Sequence, residues 1–433
     1  MKFQEECEMR KLNASICVLF TCCLMGQTSV APNAITDWAT IVAPAITKIG
    51  TSTRPPASSE VLHATINLAV YNATMAIVGG YQPYGTAISA PRGSDVRAAV
   101  ATAAYLTARA RVDSSQEGYL DEQYRTYLGR IPNGPGKDKG VEVGQAAAAA
   151  ILSLRANDGF SNMVHYDCSS TPPPAGEFEP NGGCGTQPVD QVLAQVTPFT
   201  TIDPSCFRPG GPNPLNSATY TRDFIETRDY GRAYSSIRTP EQTDIAYFWS
   251  EHAYTGWNRN LVGLAISYRL NIRETARLFA LVHTASADAL IAGFNAKYFF
   301  RFWRPRTAIP RADTDGNPDT DPDPTWTPLL TVNHPEYPSA HAFWTAALTE
   351  MVANYFGTRK VTWTLNTSKT AVPQLVKTER TYHNLIVMRN QAGDARVWAG
   401  LHWRHSLEDG DQIGIGVAKR VFENYFRPVH GDD

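Results

Sequence analysis

Residues 59–77 read SEVLHATINLAVYNATMAI, and apolar side chains recur along this stretch at intervals of three and four. That is the period of one helix face, so the segment predicts a packed helix. Working outward, Arg97 to Arg111 (RAAVATAAYLTARAR) repeats the spacing in an Ala-rich setting that favours helix intrinsically. Gly118–Tyr127 and Val141–Arg155 (VEVGQAAAAAILSLR) extend the pattern, and Asn157-Asp158-Gly159 stops it. Residues 32–159 are therefore expected to form an N-terminal helical bundle.

Beyond it the periodicity fades. Residues 160–238 gain Pro and Gly, as in Thr171-Pro-Pro-Pro174, Asn181-Gly-Gly183 and Arg208-Pro-Gly-Gly-Pro-Asn-Pro214, and read as a long irregular connection. Helical signal resumes at Thr239-Pro240-Glu241, where a Thr N-cap precedes Pro at the first helical position. It runs with interruptions to Trp303, restarts near Pro338, and ends in a helix over Leu407–Phe426, so residues 239–433 form a second helical domain. Strand patterning is scarce. The fold class is mainly α, as two packed helical bundles.

Composition fits this and excludes some functions. Lys+Arg 39 against Asp+Glu 41 leaves a formal charge of −2, which rules out nucleic-acid binding by bulk charge. Charged residues make up only 18% and hydrophobic ones 43%, enough for a large core. The uncharged run Leu12–Gly26, followed by small residues up to Ala31, resembles a secretory signal over residues 1–31, although Glu5, Glu6 and Glu8 depart from the usual basic start. A secreted protein follows as the expectation. Past residue 31 no run of 18 apolar residues occurs, so no transmembrane span is predicted. Of the 7 cysteines, Cys168, Cys184 and Cys206 lie beyond the signal, with Cys168–Cys184 the pair expected to close a short loop. Asn72-Ala-Thr and Asn366-Thr-Ser match the glycosylation acceptor pattern. The loop Asp313–Asp323 has calcium-like Asp spacing, but its prolines and missing distal Glu break that template.

Three segments concentrate basic residues and histidines. In Lys297-Tyr-Phe-Phe-Arg-Phe-Trp-Arg304-Pro305 the two outer cations are seven apart, about 20° from superposition on a helix, so both are expected on one helix side facing an anion. A Lys and an Arg satisfying a helix C-terminus would give the same pattern. In His334-Pro-Glu-Tyr-Pro338-Ser339-Ala340-His341, Pro338 is expected to open a helix whose first amides, with the Ser339 hydroxyl, can cradle an oxyanion. His341 then stands ready for proton exchange, unless Ser339 is a plain cap and His341 a surface residue. In Ala395-Arg396-Val-Trp-Ala-Gly400-Leu-His402-Trp-Arg404-His405-Ser406, Arg396 and His402 converge only if the chain breaks near Gly400. His402, His405 and Glu408 also have a spacing that places divalent-metal ligands on one helix, against which Arg396 and Arg404 would repel a cation.

Taken in order, Lys297-x6-Arg304-Pro, Pro338-Ser339-Ala-His341 and Arg396-x5-His402 resemble the three-part signature shared by vanadium-dependent haloperoxidases and type-2 phosphatidic acid phosphatases. The segments Arg238-Thr-Pro-Glu, Phe302-Trp-Arg-Pro-Arg-Thr-Ala-Ile309 and His334-Pro-Glu-Tyr-Pro-Ser are similar to the soluble haloperoxidase branch, as are the helices over residues 60–159. The resemblance implies that the C-terminal bundle carries the oxyanion (vanadate or phosphate) site. It implies that Lys297, Arg304, Ser339, the Ala340 amide and Arg396 hold the oxygens, that His402 bonds the central atom, and that His341 is the acid/base. As a haloperoxidase the protein would carry vanadate, with hydrogen peroxide and halide as substrates and room for an organic acceptor. As a phosphatase it would form a phosphohistidine at His402. The bundle faces leave room for a homo-oligomer.

Three positions depart from that signature. Ala340 stands where glycine is usual, Ala395 where Ser commonly precedes the arginine, and Ser406 where an Asp four residues after His402 usually orients the imidazole. Glu408 or Asp409 is the expected substitute. Trp303, Phe343, Trp398 and Trp403 are candidates for an apolar wall beside a halide or organic substrate, or for ordinary core.

Overall fold

The long connection that follows the first bundle is anchored to the second by one buried carboxylate. Asp288 accepts hydrogen bonds from the Phe199 and Thr200 amides at 2.7 and 2.9 Å and from the Thr200 hydroxyl. The computed structural model describes residues 33–50, 52–234, 236–251 and 253–429; the expected signal segment lies outside them.

The N-terminal bundle comprises α1 (Ala34–Ile46), α2 (Pro56–Val78), α3 (Val96–Arg111), α4 (Glu117–Gly129) and α5 (Pro135–Leu154). The helices expected around residues 59–77, 97–111, 118–127 and 141–155 lie in α2 to α5. After the connection come α6 (Ala218–Gly231), α7 (Pro240–Phe248), α8 (Ala253–Ser267), α9 (Ile272–Phe300) and the single turn α10 (Pro305–Ala308). Then follow α11 (Ala340–Phe356), α12 (Leu385–Trp398) and α13 (Arg404–Asn424). Sheet is confined to two antiparallel pairs, β1 (Lys48–Ile49) with β2 (Ser52–Thr53) and β3 (Trp363–Asn366) with β4 (Glu379–Tyr382).

Local chemistry explains the helix starts near the site. Thr239 and Asn271 each form a reciprocal capping box with the residue three further on, Gln242 and Glu274, which opens α7 and α9. Two helices, α2 and α9, are apolar and long enough to cross a membrane by composition, yet 83% and 94% of their most apolar windows are buried against other helices. They are core, and one continuous apolar cluster runs from Ala34 in α1 to Val421 in α13. Close approach of α11 and α13 relies on small residues: a Cβ on Gly414 would lie 2.2 Å from the Phe343 carbonyl oxygen.

The Cys168–Cys184 loop closes as expected, whereas other expectations change. The irregular stretch contains α6, whose buried Tyr220, Phe224, Thr227 and Gly231 follow a helical spacing. Cys168 and Cys184 are disulfide-bonded, and Cys206 is free and exposed. Asn72 is buried and spends its amide on the Tyr84 backbone, so it is no acceptor site for a glycan, whereas Asn366 is exposed. In the acidic loop Asp315 binds the Asn317 amide and the Thr320 hydroxyl. Among the described residues no group of three or more His, Cys, Asp or Glu side chains is placed to hold a metal ion.

Candidate active site

Lys297 and Arg304 do not share a helix face. The α9 helix ends at Phe300 because Arg301 takes a left-handed conformation (φ 52°), its amide still bonded to the Lys297 carbonyl. Pro305 then holds Arg304 extended (φ −92°, ψ 157°), as a residue before proline prefers. The two cations meet instead at the loop 334–336. Lys297 Nζ donates to the Pro335 and Glu336 carbonyls, both at 2.9 Å. Arg304 donates from Nε to the His334 carbonyl at 2.6 Å and from Nη1 to the Leu401 carbonyl at 2.8 Å, and its Nη2 lies 3.0 Å from His334 Nδ1.

The second segment enters a helix two residues later than expected. Ser339 is the N-cap of α11, its amide donating to the Ser406 carbonyl at 2.9 Å, so Pro338 lies ahead of the first turn. The amides of Ala340 and His341 then begin the helix without intrahelical acceptors. His341 Nε2 lies 3.1 Å from the Trp249 carbonyl oxygen, which also accepts from Arg396 Nη1 at 3.3 Å. A carbonyl can only accept, so Nε2 carries the hydrogen and Nδ1 the lone pair.

The third segment turns as the glycine predicted. The α12 helix stops at Trp398, Gly400 adopts φ 74°, and α13 begins at Arg404, leaving His402 on the intervening corner. His402 Nδ1 is 2.7 Å from Glu336 Oε1, and the Trp403 amide donates to the same oxygen at 3.1 Å. Nε2 has no partner among the described residues. The expected orienting acids are elsewhere: Glu408 is exposed, and Asp409 accepts from the Tyr337 hydroxyl and pairs with His405 at 3.1 Å. Since His402 precedes α13 and His405 is engaged there, the divalent-metal arrangement on one helix does not form.

Ala340, His341, Arg396 and His402 line one cavity of about 390 Å³, together with His334 and an apolar wall that includes Leu290, Phe294, Trp344, Leu330, Val332 and Leu401. The aromatic residues singled out in sequence are absent from that lining; Trp303, Phe343 and Trp403 are core. Lys297, Arg304 and Ser339 are fully buried next to it, tied to the same loop. Burial lowers the pKa of Lys297, helped by Arg304 and Arg396 and opposed by Glu336. Arg304 and Arg396 are pushed down to about 9, again chiefly by burial. His341 and His402 are held well below the usual imidazole range by burial and by these neighbouring cations. Burial raises Glu336 to about 7, against the pull of Lys297 and Arg304.

Lys297, Arg304 and Arg396 thus converge around Glu336 and His402, a grouping of cations suited to a tetrahedral oxyanion, while Asp190 and Glu251 lie elsewhere on the cavity wall, Glu251 paired with Arg259. The Ser339 hydroxyl and Arg396 Nε are buried without a hydrogen-bond partner, two donors waiting for an acceptor. These residues fit vanadate or phosphate and disfavour a cation. Sequence reasoning missed two groups here, the Glu336 side chain and the Trp249 carbonyl; the first was visible as an acid set between Pro335 and Tyr337-Pro338 in an otherwise apolar turn.

Fold and site together define an α-helical protein with a cavity on which basic residues and histidines, mainly of its C-terminal bundle, converge. Residues 277–431 match the family model of the VCPO second helical-bundle domain. A vanadium chloroperoxidase from Curvularia inaequalis is 34% identical over 161 residues, covering 30% of this chain and 25% of that relative. The chain therefore aligns with about a quarter of the curated relative's length. A bacterial vanadium-dependent iodoperoxidase structure superimposes with a TM-score of 0.74 at 20% identity, covering 92% of this chain and 97% of the other. A holo-type bacterial vanadium-dependent chloroperoxidase superimposes with a TM-score of 0.72 at 18% identity, covering 91% and 97%. Residues 277–431 are thus similar to the VCPO second helical-bundle domain, and the fold as a whole is shared with these two solved structures.

Proposed function

We propose that the protein is a vanadium-dependent haloperoxidase that oxidises halide with hydrogen peroxide at a vanadate held by His402. The observation that carries the reading is the convergence of Arg304, Lys297 and Arg396 on His402, whose Nε2 has no partner among the described residues and can bond the central atom of an oxyanion. Lys297, Arg304, Arg396, the Ser339 hydroxyl and the Ala340 amide would bind its oxygens. When bound, vanadate supplies the Lewis acidity that makes hydrogen peroxide an oxidant of halide. His341, with its hydrogen fixed on Nε2 by the Trp249 carbonyl, presents Nδ1 as the base that takes a proton from incoming peroxide. The apolar side of the cavity lowers the local dielectric and leaves space for halide and an organic acceptor. Export through residues 1–31 is part of the proposal, and the Cys168–Cys184 disulfide is compatible with an oxidising compartment.

The test is to strip the purified protein of oxyanion, then add orthovanadate, hydrogen peroxide and iodide, bromide or chloride. Halogenation that depends on vanadate is the expected result. Release of nitrophenol from p-nitrophenyl phosphate, blocked by vanadate and without halogenation, would instead establish the phosphohistidine chemistry.

A further inference from the structure

We propose that Glu336 is the positioning residue of His402, standing in for the acid that its own segment lacks at Ser406. The inference rests on the oxyanion reading of the site and adds to it the group that fixes the imidazole. The Glu336 carboxylate arrives from the turn ahead of α11 and meets His402 Nδ1 at 2.7 Å, with both side chains almost wholly buried. The Trp403 amide donates to the same oxygen, so the backbone directly after His402 is clamped together with its ring. The Glu336 main-chain carbonyl accepts from Lys297, which makes this one residue a link among all three basic segments. Ser406 lies on the first turn of α13 beside the carboxylate, and its hydroxyl helps to lower the Glu336 pKa. Yet neither Ser406 Oγ nor Glu336 Oε2 makes a hydrogen bond of standard geometry. A short side chain at 406 therefore leaves the volume that a longer one from 336 occupies, and the acid has moved from the helix to the loop. With Nδ1–H given to the carboxylate, the lone pair stays on Nε2, where a bond to an oxyanion's central atom must form.

This role is separable from simple charge balance by comparing two anions. Phosphate at equilibrium is held by the cations alone, whereas vanadate also gains a bond to imidazole. If Glu336 only offset positive charge, Glu336→Gln would tighten both anions. Positioning predicts opposite behaviour: orthovanadate binding weakened about 10–100-fold and phosphate binding unchanged or tighter, both read by calorimetry on the full chain. Glu336→Gln keeps the side-chain volume and so the fold. Glu336→Ala with Ser406→Asp returns the acid to the helix and is expected to recover most of the vanadate affinity that Glu336→Ala alone loses. In the oxyanion-free protein, ¹⁵N spectra of His402 should report a protonated Nδ1 in the wild type and in the double variant, and mixed tautomers in Glu336→Ala. Should Glu336→Gln weaken both anions equally or neither, or should the tautomer persist in a folded Glu336→Ala, the assignment is overturned. A wild type that binds vanadate without oxidising halide would defeat the haloperoxidase reading and leave these outcomes still decisive.

Discussion

Two buried imidazoles in this protein each meet a glutamate through Nδ1, His402 with Glu336 at 2.7 Å and His283 with Glu60 at 2.8 Å. The second pair lies between α2 and α9, where the His63 ring stacks on His283 with centroids 5.3 Å apart. No lysine or arginine acts on Glu60, and only His63 opposes its burial. Burial pushes Glu60 up to about 8 and both histidines down to about 3, so at neutral pH Glu60 keeps its proton and donates it to His283 Nδ1. Near His402 the burial is similar, but Lys297 and Arg304 draw Glu336 toward the carboxylate. That pull favours the proton on the ring, not the acid, and so leaves the lone pair on Nε2 instead of Nδ1. An identical pair of side chains becomes a closed core element or a candidate ligand according to the charges around it.

The largest expected contrast comes from deleting each imidazole. His402→Ala should lower vanadate-dependent halide oxidation by about a thousandfold or more while the protein stays folded, because the bond to the central atom has no substitute. His283→Ala should leave that rate within a few-fold but cost about 1–3 kcal/mol of stability, since Glu60 loses its buried partner. Initial rates and urea unfolding on both variants decide the matter. Equal loss of activity in two folded variants would abolish the distinction.

How much of this was readable before folding depends on range. Helices such as α2 and α3 declare themselves through local spacing, and Gly400 declared the corner at His402 because only a break there brings Arg396 and His402 together. By contrast, α1 has Pro44 inside it and α6 lies within a Pro/Gly-rich run, so local signals understated both. The shared helix face assigned to Lys297 and Arg304 failed because Arg301, not a glycine, adopts the left-handed terminating conformation. Pro305 was the available warning. Glu336 is 66 residues from His402, and no periodicity links them. The acids nearest Ser406 in sequence, Glu408 and Asp409, face elsewhere, and the fold brings Glu336 to the imidazole from another segment. His63, His283 and Glu60 are likewise joined only by the packing of α2 on α9.

The two pairs also differ in mounting, which Gly400→Ala would exploit. Glu60 and His283 sit inside long helices, whereas His402 depends on a corner where Gly400 has φ 74° and its added Cβ would come within 2.5 Å of the Gly231 carbonyl oxygen. The substitution combines backbone strain with overpacking, so a loss of about 2 kcal/mol or more is expected. It should also displace His402 and weaken orthovanadate binding. The His283–Glu60 pair should remain in place, as read by its ¹⁵N shifts. A variant with wild-type stability and vanadate affinity would mean that the corner does not set the site.

The smallest expected effect is a pH signature of the core pair. His63 and His283 titrate near 6.5 when unfolded and near 3 when folded, so their contribution is present above 6.5 and is lost as pH falls toward 3. Glu60 moves the other way, from 4.5 to about 8, so its contribution is complete below 4.5 and is lost as pH rises through 8. Between these limits the two trends meet, and the cluster stabilises the fold most near neutrality. On its alkaline side the slope is that of one proton, about 1.4 kcal/mol per pH unit. Glu60→Gln keeps a donor for His283 and removes the titration. Its unfolding free energy in urea should therefore gain on that of the wild type from about pH 4.5 to 8, about 2 kcal/mol of the gain falling between pH 6.5 and 8, and run parallel to it above pH 8. Curves that stay parallel across the whole range would show that Glu60 is already ionised at neutral pH, and the two pairs would then share one proton arrangement.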